Sequence, residues 1–141
     1  MPPAWFRTAG ITVAFGTTAA NGIVSTARGC RRADRLSVGK DVLEPHYNDK
    51  IVSINDHCLR IAINQDNTFP WHRHNKTDEL FIVIEGNLRI ELENGEIVDL
   101  FPNETYCVKS GLIHRTIAVG RTVNLCFESD NDDTEFIDFN R

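Results

Sequence analysis

The chain is predicted to be all-β, a sandwich or small barrel of seven or eight short strands, and three observations carry that prediction. Short apolar runs rich in Ile, Val, Leu and Phe recur from residue 46 onward, separated by Asn, Asp and Gly. "NLRIEL" alternates cleanly, with Leu88, Ile90 and Leu92 on one face and Arg89, Glu91 and Glu93 on the other. Helical periodicity is almost absent. In order, "KIVSI" stops at Asn55-Asp56, "CLRIAI" at the polar residues 64–67, and "LFIVI" at Glu85-Gly86. "NLRIEL" then meets Asn94-Gly95, the strongest short hairpin signal, and "EIVDL" answers it. "TYCV", "IHRTIAV" and "TVNLCFE" complete the series, with Gly86, Gly95 and Gly111 expected as turn residues.

A length of 141 residues at 41% hydrophobic content fits one globular domain with one core. The expected division is an N-terminal extension over residues 1–40 and the barrel over 41–141. Charge is uneven: residues 1–40 carry six Arg or Lys against one acid, Asp34, whereas the rest carries nine against nineteen. An acidic body without a basic patch argues against nucleic acid as a partner. No run approaches the roughly 18 apolar residues of a membrane span. Cys30, Cys58, Cys107 and Cys126 form no C-x-x-C pair, which suggests a reducing, cytoplasmic setting. The acid-free, Arg-containing stretch 1–33 has a transit-peptide-like composition, but no clear amphipathic helix carries its Arg residues, and a poorly ordered extension, an early start codon or a strand pair of "ITVAF" and "GIVST" is the simpler expectation.

Between two apolar stretches lies "WHRHNKTDELF", residues 71–81. In an extended segment His72 and His74 share one face while Trp71 and Arg73 take the other. Glu79 opens the next strand after a short polar loop, and His114 opens a later one. Three neutral imidazoles and a carboxylate would hold a divalent metal and leave one or two positions open, the pattern of a catalytic site.

These residues resemble the two signatures of the cupin superfamily: His72, His74, Glu79 and Gly86 stand at the spacing of the first, Gly111 and His114 at that of the second. The resemblance covers about residues 46–128 and is nearest to small single-domain cupins loosely labelled mannose-6-phosphate isomerase-like. It implies a cupin-type jelly-roll β-barrel, commonly a homodimer. It also implies one bound divalent transition metal, iron, manganese, nickel or zinc, on His72, His74, Glu79 and His114. The chain departs from the signatures at Asp66 and Asn103, where Gly is usual, at Lys109, where Pro is usual, and at Ala118, where Asn is usual. None of these is a ligand position, and Asn103 tolerates the left-handed backbone that Gly would supply.

A metal Lewis acid in such a cavity supports isomerase, epimerase, cyclase or lyase chemistry on a small polar carbonyl or carboxylate substrate. The same ligands suit an iron-dependent dioxygenase, and a barrel that only binds a small molecule or metal is the non-enzymatic alternative. A separate base would have to come from inward positions such as Tyr106 or Cys107, or from a metal-bound hydroxide. Arg60, in an otherwise apolar strand, clamps a substrate anion if it points inward and is an ordinary surface residue if it points outward. The run "ESDNDD", 128–133, reads as a solvated acidic loop, and His46 and His57 as surface or turn residues. Trp71 and Phe81 are expected in the core or at a subunit interface.

Overall fold

The computed structural model describes residues 23–25, 31–33, 42–131 and 133–139. The chain falls into two compact units, Met1–Ala33 and Asp34–Arg141. In the first, β1 (Ile23–Ser25) pairs antiparallel with β2 (Arg31–Ala33). β1 lies within "GIVST", whereas "ITVAF" lies outside the described residues.

The second unit is built on two long strands, β6 (Glu79–Leu92) and β9 (His114–Ser129), paired antiparallel from Leu80 opposite Phe127 to Leu92 opposite His114. Around them stand β3 (His46–Ile54), β4 (His57–Gln65), β5 (Thr68–His74), β7 (Ile97–Leu100), β8 (Thr105–Val108) and β10 (Thr134–Phe136). The C-terminal half of β9 and the N-terminal half of β6 join β4, β3 and β8 into one sheet, in the order β3-β4-β9-β6-β8. Their other halves join β5, β10 and β7 into a second, β10-β5-β9-β6-β7. Two antiparallel sheets sharing two bent strands make the jelly-roll barrel that the sequence predicts.

The bend falls at Gly86 and Gly120, both with left-handed backbone (φ of 82° and 66°), and the β6–β9 register slips on either side of Glu85. Glycine is required at 86: a Cβ there would stand 2.0 Å from the Arg121 carbonyl oxygen of β9. "LFIVI" and "NLRIEL" are therefore one strand, not two, as are "IHRTIAV" and "TVNLCFE". The Glu85-Gly86 signal marks a bend because β9 bends with it and pairing resumes at Asn87 opposite Val119. Asp66 and Asn103 adopt positive φ, 44° and 74°, as glycine substitutes should. The Asp66 carboxylate also accepts the Gly120 N–H at 2.7 Å, which pins the bend.

The barrel interior divides in two. Phe81, Val83, Leu88, Ile90, Leu92, Leu100 and Val108 fill the half bounded by β6, β7 and β8. On the outer face of β4 and β9, a second apolar cluster joins Ile61, Ile63 and Val123 to Val42 and, at its margin, Tyr47 and Ile51 of β3. The outer face of β4 is thus covered. The interior half beside β3, β4, β5 and β10 is left open and carries polar residues.

Candidate metal centre

Pro70 sets the local geometry of β5. Lacking an N–H, it interrupts the ladder with β9, and the register slips between Phe69, opposite Thr116, and His72, opposite His114. The slip sets His72 beside His114, with ring centroids 4.2 Å apart. Period two then brings His74 to the same face: His72 and His74 are buried, while Trp71 and Arg73 between and before them are half-buried. Glu79, the first residue of β6, is buried on the inward row that continues through Phe81 and Val83.

All three imidazoles aim Nε2 at one carboxylate oxygen. Glu79 Oε2 lies 3.0 Å from His114 Nε2, 3.2 Å from His74 Nε2 and 3.8 Å from His72 Nε2. His72, His74 and Glu79 offer ligand atoms within 4.8 Å of one another, and His114 joins them through Glu79. The opposite nitrogen of each ring is anchored: His72 Nδ1 to Pro70 O at 2.8 Å, His114 Nδ1 to Leu112 O at 3.1 Å, and His74 Nδ1 to Asp133 Oδ1 at 2.9 Å. An acceptor at Nδ1 keeps a proton on that nitrogen, so the Nε2 proton is the one a bound metal would displace, and the lone pair it frees would face inward as a metal ligand requires. Buried imidazoles with fixed tautomers around a carboxylate fit a divalent transition metal, since both donor types suit such ions and hard-ion sites would use oxygen alone.

The electrostatics are those of a site with charge to share. Burial works against an ionised Glu79, yet the three histidines outweigh it and hold its carboxyl well below the usual range. Burial also works against a charged His74, but Glu79, Asp133 and Glu128 outweigh it and raise the imidazole to about 9. Glu128 moves the other way, pushed up to about 7 by burial and then by the charge of Glu79. It stands one step beyond the Leu80–Phe127 pair, hence across from Glu79, with Oε2 3.9 Å from His74 Nε2.

A cavity of about 390 Å3 opens beside this cluster, lined on its polar side by Arg60, Asn48, Asn64, Asn124 and Glu128 and on its apolar side by Phe69, Phe81 and Phe136. Arg60 points inward. Its Nε donates to Asn48 Oδ1 at 2.7 Å and lies 3.5 Å from Glu128 Oε1. Tyr106 does not reach the cavity: it packs against the apolar half of the interior, and its hydroxyl lies against Glu96. Cys107 is exposed on the outer face. His46 lines the cavity and contacts Asn64 Oδ1, whereas His57 stacks on Phe127 outside it. Phe81 is in the core, and Trp71 packs edge-on to Phe139 with the Arg115 guanidinium over its ring.

The acidic loop is more than solvated. Glu128 lines the cavity, and the Asp133 side chain, 4% exposed, holds His74 and accepts the Lys76 N–H at 3.0 Å. Asp133 is held there because the next three residues form β10, which pairs with β5 so that Thr134 faces His74 and Phe136 faces His72. Neither β10 nor the role of Asp133 was expected from the run of acids. The alternation of Thr134, Glu135 and Phe136 is the only local signal for that strand.

Comparisons with known proteins agree with this fold. Residues 60–127 match the model of the Cupin domain family. The chain is 40% identical over 103 residues to the uncharacterized protein YdbB of Bacillus subtilis (strain 168), spanning 73% of this chain and 90% of YdbB. A cupin-2 domain-containing protein from Shewanella frigidimarina NCIMB 400 superposes with a TM-score of 0.60 at 27% identity, covering 68% of this chain and 89% of that one. KdgF from Halomonas sp. superposes at 0.56 with 21% identity over 65% of this chain and 86% of its own, a likeness of fold.

Proposed function

The chain belongs to the cupin superfamily, and from that premise we propose that it is a metal-dependent enzyme of the isomerase, epimerase, cyclase or lyase type acting on a small polar carbonyl or carboxylate compound. The observation that carries the reading is the convergence of three Nδ1-anchored imidazoles on Glu79 Oε2 at the wall of an open cavity. His72, His74, Glu79 and His114 would hold the ion. A bound divalent metal supplies Lewis acidity, which lowers the cost of removing a proton beside a carbonyl.

The remaining work falls to residues of this chain. Glu128 takes the place of Tyr106 and Cys107 as the group that moves a proton, because it lies in the cavity beside the cluster and they lie outside it. Arg60, held by Asn48 and near Glu128, orients the substrate's anionic group. Phe69 and Phe136, on β5 and β10, line the facing wall with apolar surface. The proposal includes a cytoplasmic homodimer that acts on a small molecule, and light scattering checks the dimer. Among the described residues no helix is long and apolar enough to cross a membrane.

The test is proton exchange. Metal-loaded protein is incubated in D2O with small keto and hydroxy acids, and deuterium incorporation is followed by NMR. Exchange with one class of compound, abolished in Glu128→Gln at unchanged metal content, is the expected result. No exchange with any of them, together with bound iron and substrate-dependent oxygen uptake, would replace this reading with the dioxygenase alternative.

A further inference from the structure

Three rows of side chains cross the inner face of the β3-β4-β9-β6 sheet, each fixed by register. The row at the metal end holds Cys58 and Glu128, with Glu79 one step beyond the last paired residues. The next holds Lys50, Arg60, Cys126 and Phe81, and the one after it Asn48, Ala62, Asn124 and Val83. Two features of these rows bear on what the cavity holds. Lys50 and Arg60 are like charges placed directly opposite each other, each offset by an acid, Asp130 at 2.7 Å and Glu128 at 3.5 Å. Asn124, 2% exposed and lining the cavity, has its Nδ2 on Cys126 Sγ at 3.2 Å and no partner for Oδ1. Turning the amide over would only exchange which end is left over. A buried amide atom without a partner costs about 1–3 kcal/mol, and a leucine of similar size would avoid that cost.

From these we infer that the cavity binds a hydroxy-carboxylate, with its carboxylate on the Arg60 and Lys50 row and a hydroxyl donated to Asn124 Oδ1. Arg60 and Asn124 sit on diagonal positions of adjacent strands, Arg60 facing Cys126 and Ala62 facing Asn124, so a short hydroxylated chain spans them. The Arg60 Nε is committed to Asn48, and its terminal nitrogens are the fork that a carboxylate takes in bidentate fashion. Lys50, tied to Asp130 at 2.7 Å, adds a second positive charge at the same end. Asn124 is then a specificity-determining residue: its free oxygen rewards a substrate hydroxyl and is left unpaired by a deoxy analogue.

The inference names the substrate class for the site proposed above, so its test is separable from that reading. Glycerate, its deoxy analogue propionate and its carboxylate-free analogue glycerol are titrated calorimetrically into wild-type protein, Asn124→Leu and Arg60→Gln, with metal content measured on the same samples. Wild-type protein should bind glycerate at least about tenfold more tightly than either analogue. Asn124→Leu should lower glycerate to the level of propionate, and Arg60→Gln should lower it to the level of glycerol, both at wild-type metal content. Asn124→Leu should also melt no lower than wild type, since it removes an unsatisfied polar atom. Equal affinities in the wild type, no binding of any probe at millimolar concentration, or a hydroxyl preference that survives Asn124→Leu would each overturn the inference. Should Asn124→Leu fail to fold, Asn124→Ala, which removes the same oxygen, decides instead. Protein that binds no metal would defeat the proposed enzyme class, while the same ratios would still judge the hydroxy-carboxylate site.

Discussion

Asp133→Asn should weaken metal binding without unfolding the barrel. The wild-type carboxylate can only accept at the 2.9 Å contact with His74 Nδ1, so a proton stays on Nδ1 and Nε2 is the nitrogen that would give up its proton to a metal. The amide of the variant has one acceptor and two places that want it, because the Lys76 N–H also bonds to Asp133 at 3.0 Å. With the amide oxygen on Lys76, the NH2 end faces His74 Nδ1, draws the lone pair to that side and moves the proton to Nε2, where it blocks the ligand position. With the oxygen on His74, the tautomer survives but the negative charge is lost. Loss of such an anchor lowers metal affinity about 10–100-fold, which is about 1.4–2.7 kcal/mol at room temperature. Zinc titration against a chromophoric chelator measures the affinity. Melting of the metal-free proteins checks that Lys76 and its loop remain in place. An affinity within about twofold of wild type would refute the reasoning that Asp133 sets the His74 tautomer.

Other outcomes follow from the bend and the buried charges. Gly86→Ala meets both a left-handed φ and the Arg121 carbonyl, so it should cost several kcal/mol, roughly 3 or more, and appear as a large drop in melting temperature; a drop of only a few degrees would mean the two strands separate easily there. Metal-free protein should lose stability on both sides of neutrality. His74, raised from 6.5 to about 9, contributes fully below pH 6.5 and loses that contribution as pH rises through 9, roughly 3 kcal/mol at about 1.36 kcal/mol per unit. Glu79, held low, contributes above its ordinary range and loses its contribution only in strong acid. Denaturant midpoints at pH 6 and 9 test this, and a metal-free protein more stable at pH 9 would contradict it. The buried Cys126, whose thiol is pushed well up by burial, should resist alkylation under native conditions while the exposed Cys107 reacts, as peptide mapping would read.

Much of the site was legible because strand parity and spacing are local. His72 and His74 share a face by period two alone, and Glu79 and His114 follow from their offsets in the resemblance. Four features depended on contacts distant in sequence. The bend at Gly86 looks locally like any turn, and only the matching bend at Gly120 keeps β6 and β9 paired across it. Arg60 was the more ambiguous because the usual rule, apolar side inward, fails on β4: Ile61 and Ile63 are buried on the outer face by the Val42 cluster, leaving the polar side to the cavity. Tyr106 turns inward, but into the apolar half of the barrel. Asp133, 59 positions beyond His74, is brought to it by β10, and its acidic neighbours disguise it as solvated loop.

His72, His74, Glu79 and His114 are proposed to hold one ion together. Elemental analysis of protein purified without added metal, beside His72→Ala and His114→Ala, tests that most directly. About one equivalent of a transition metal in the wild type, lost in both variants while their circular dichroism stays that of a β-barrel, is the predicted result. Full occupancy retained in either variant, or no metal in the wild type even after reconstitution, would contradict it.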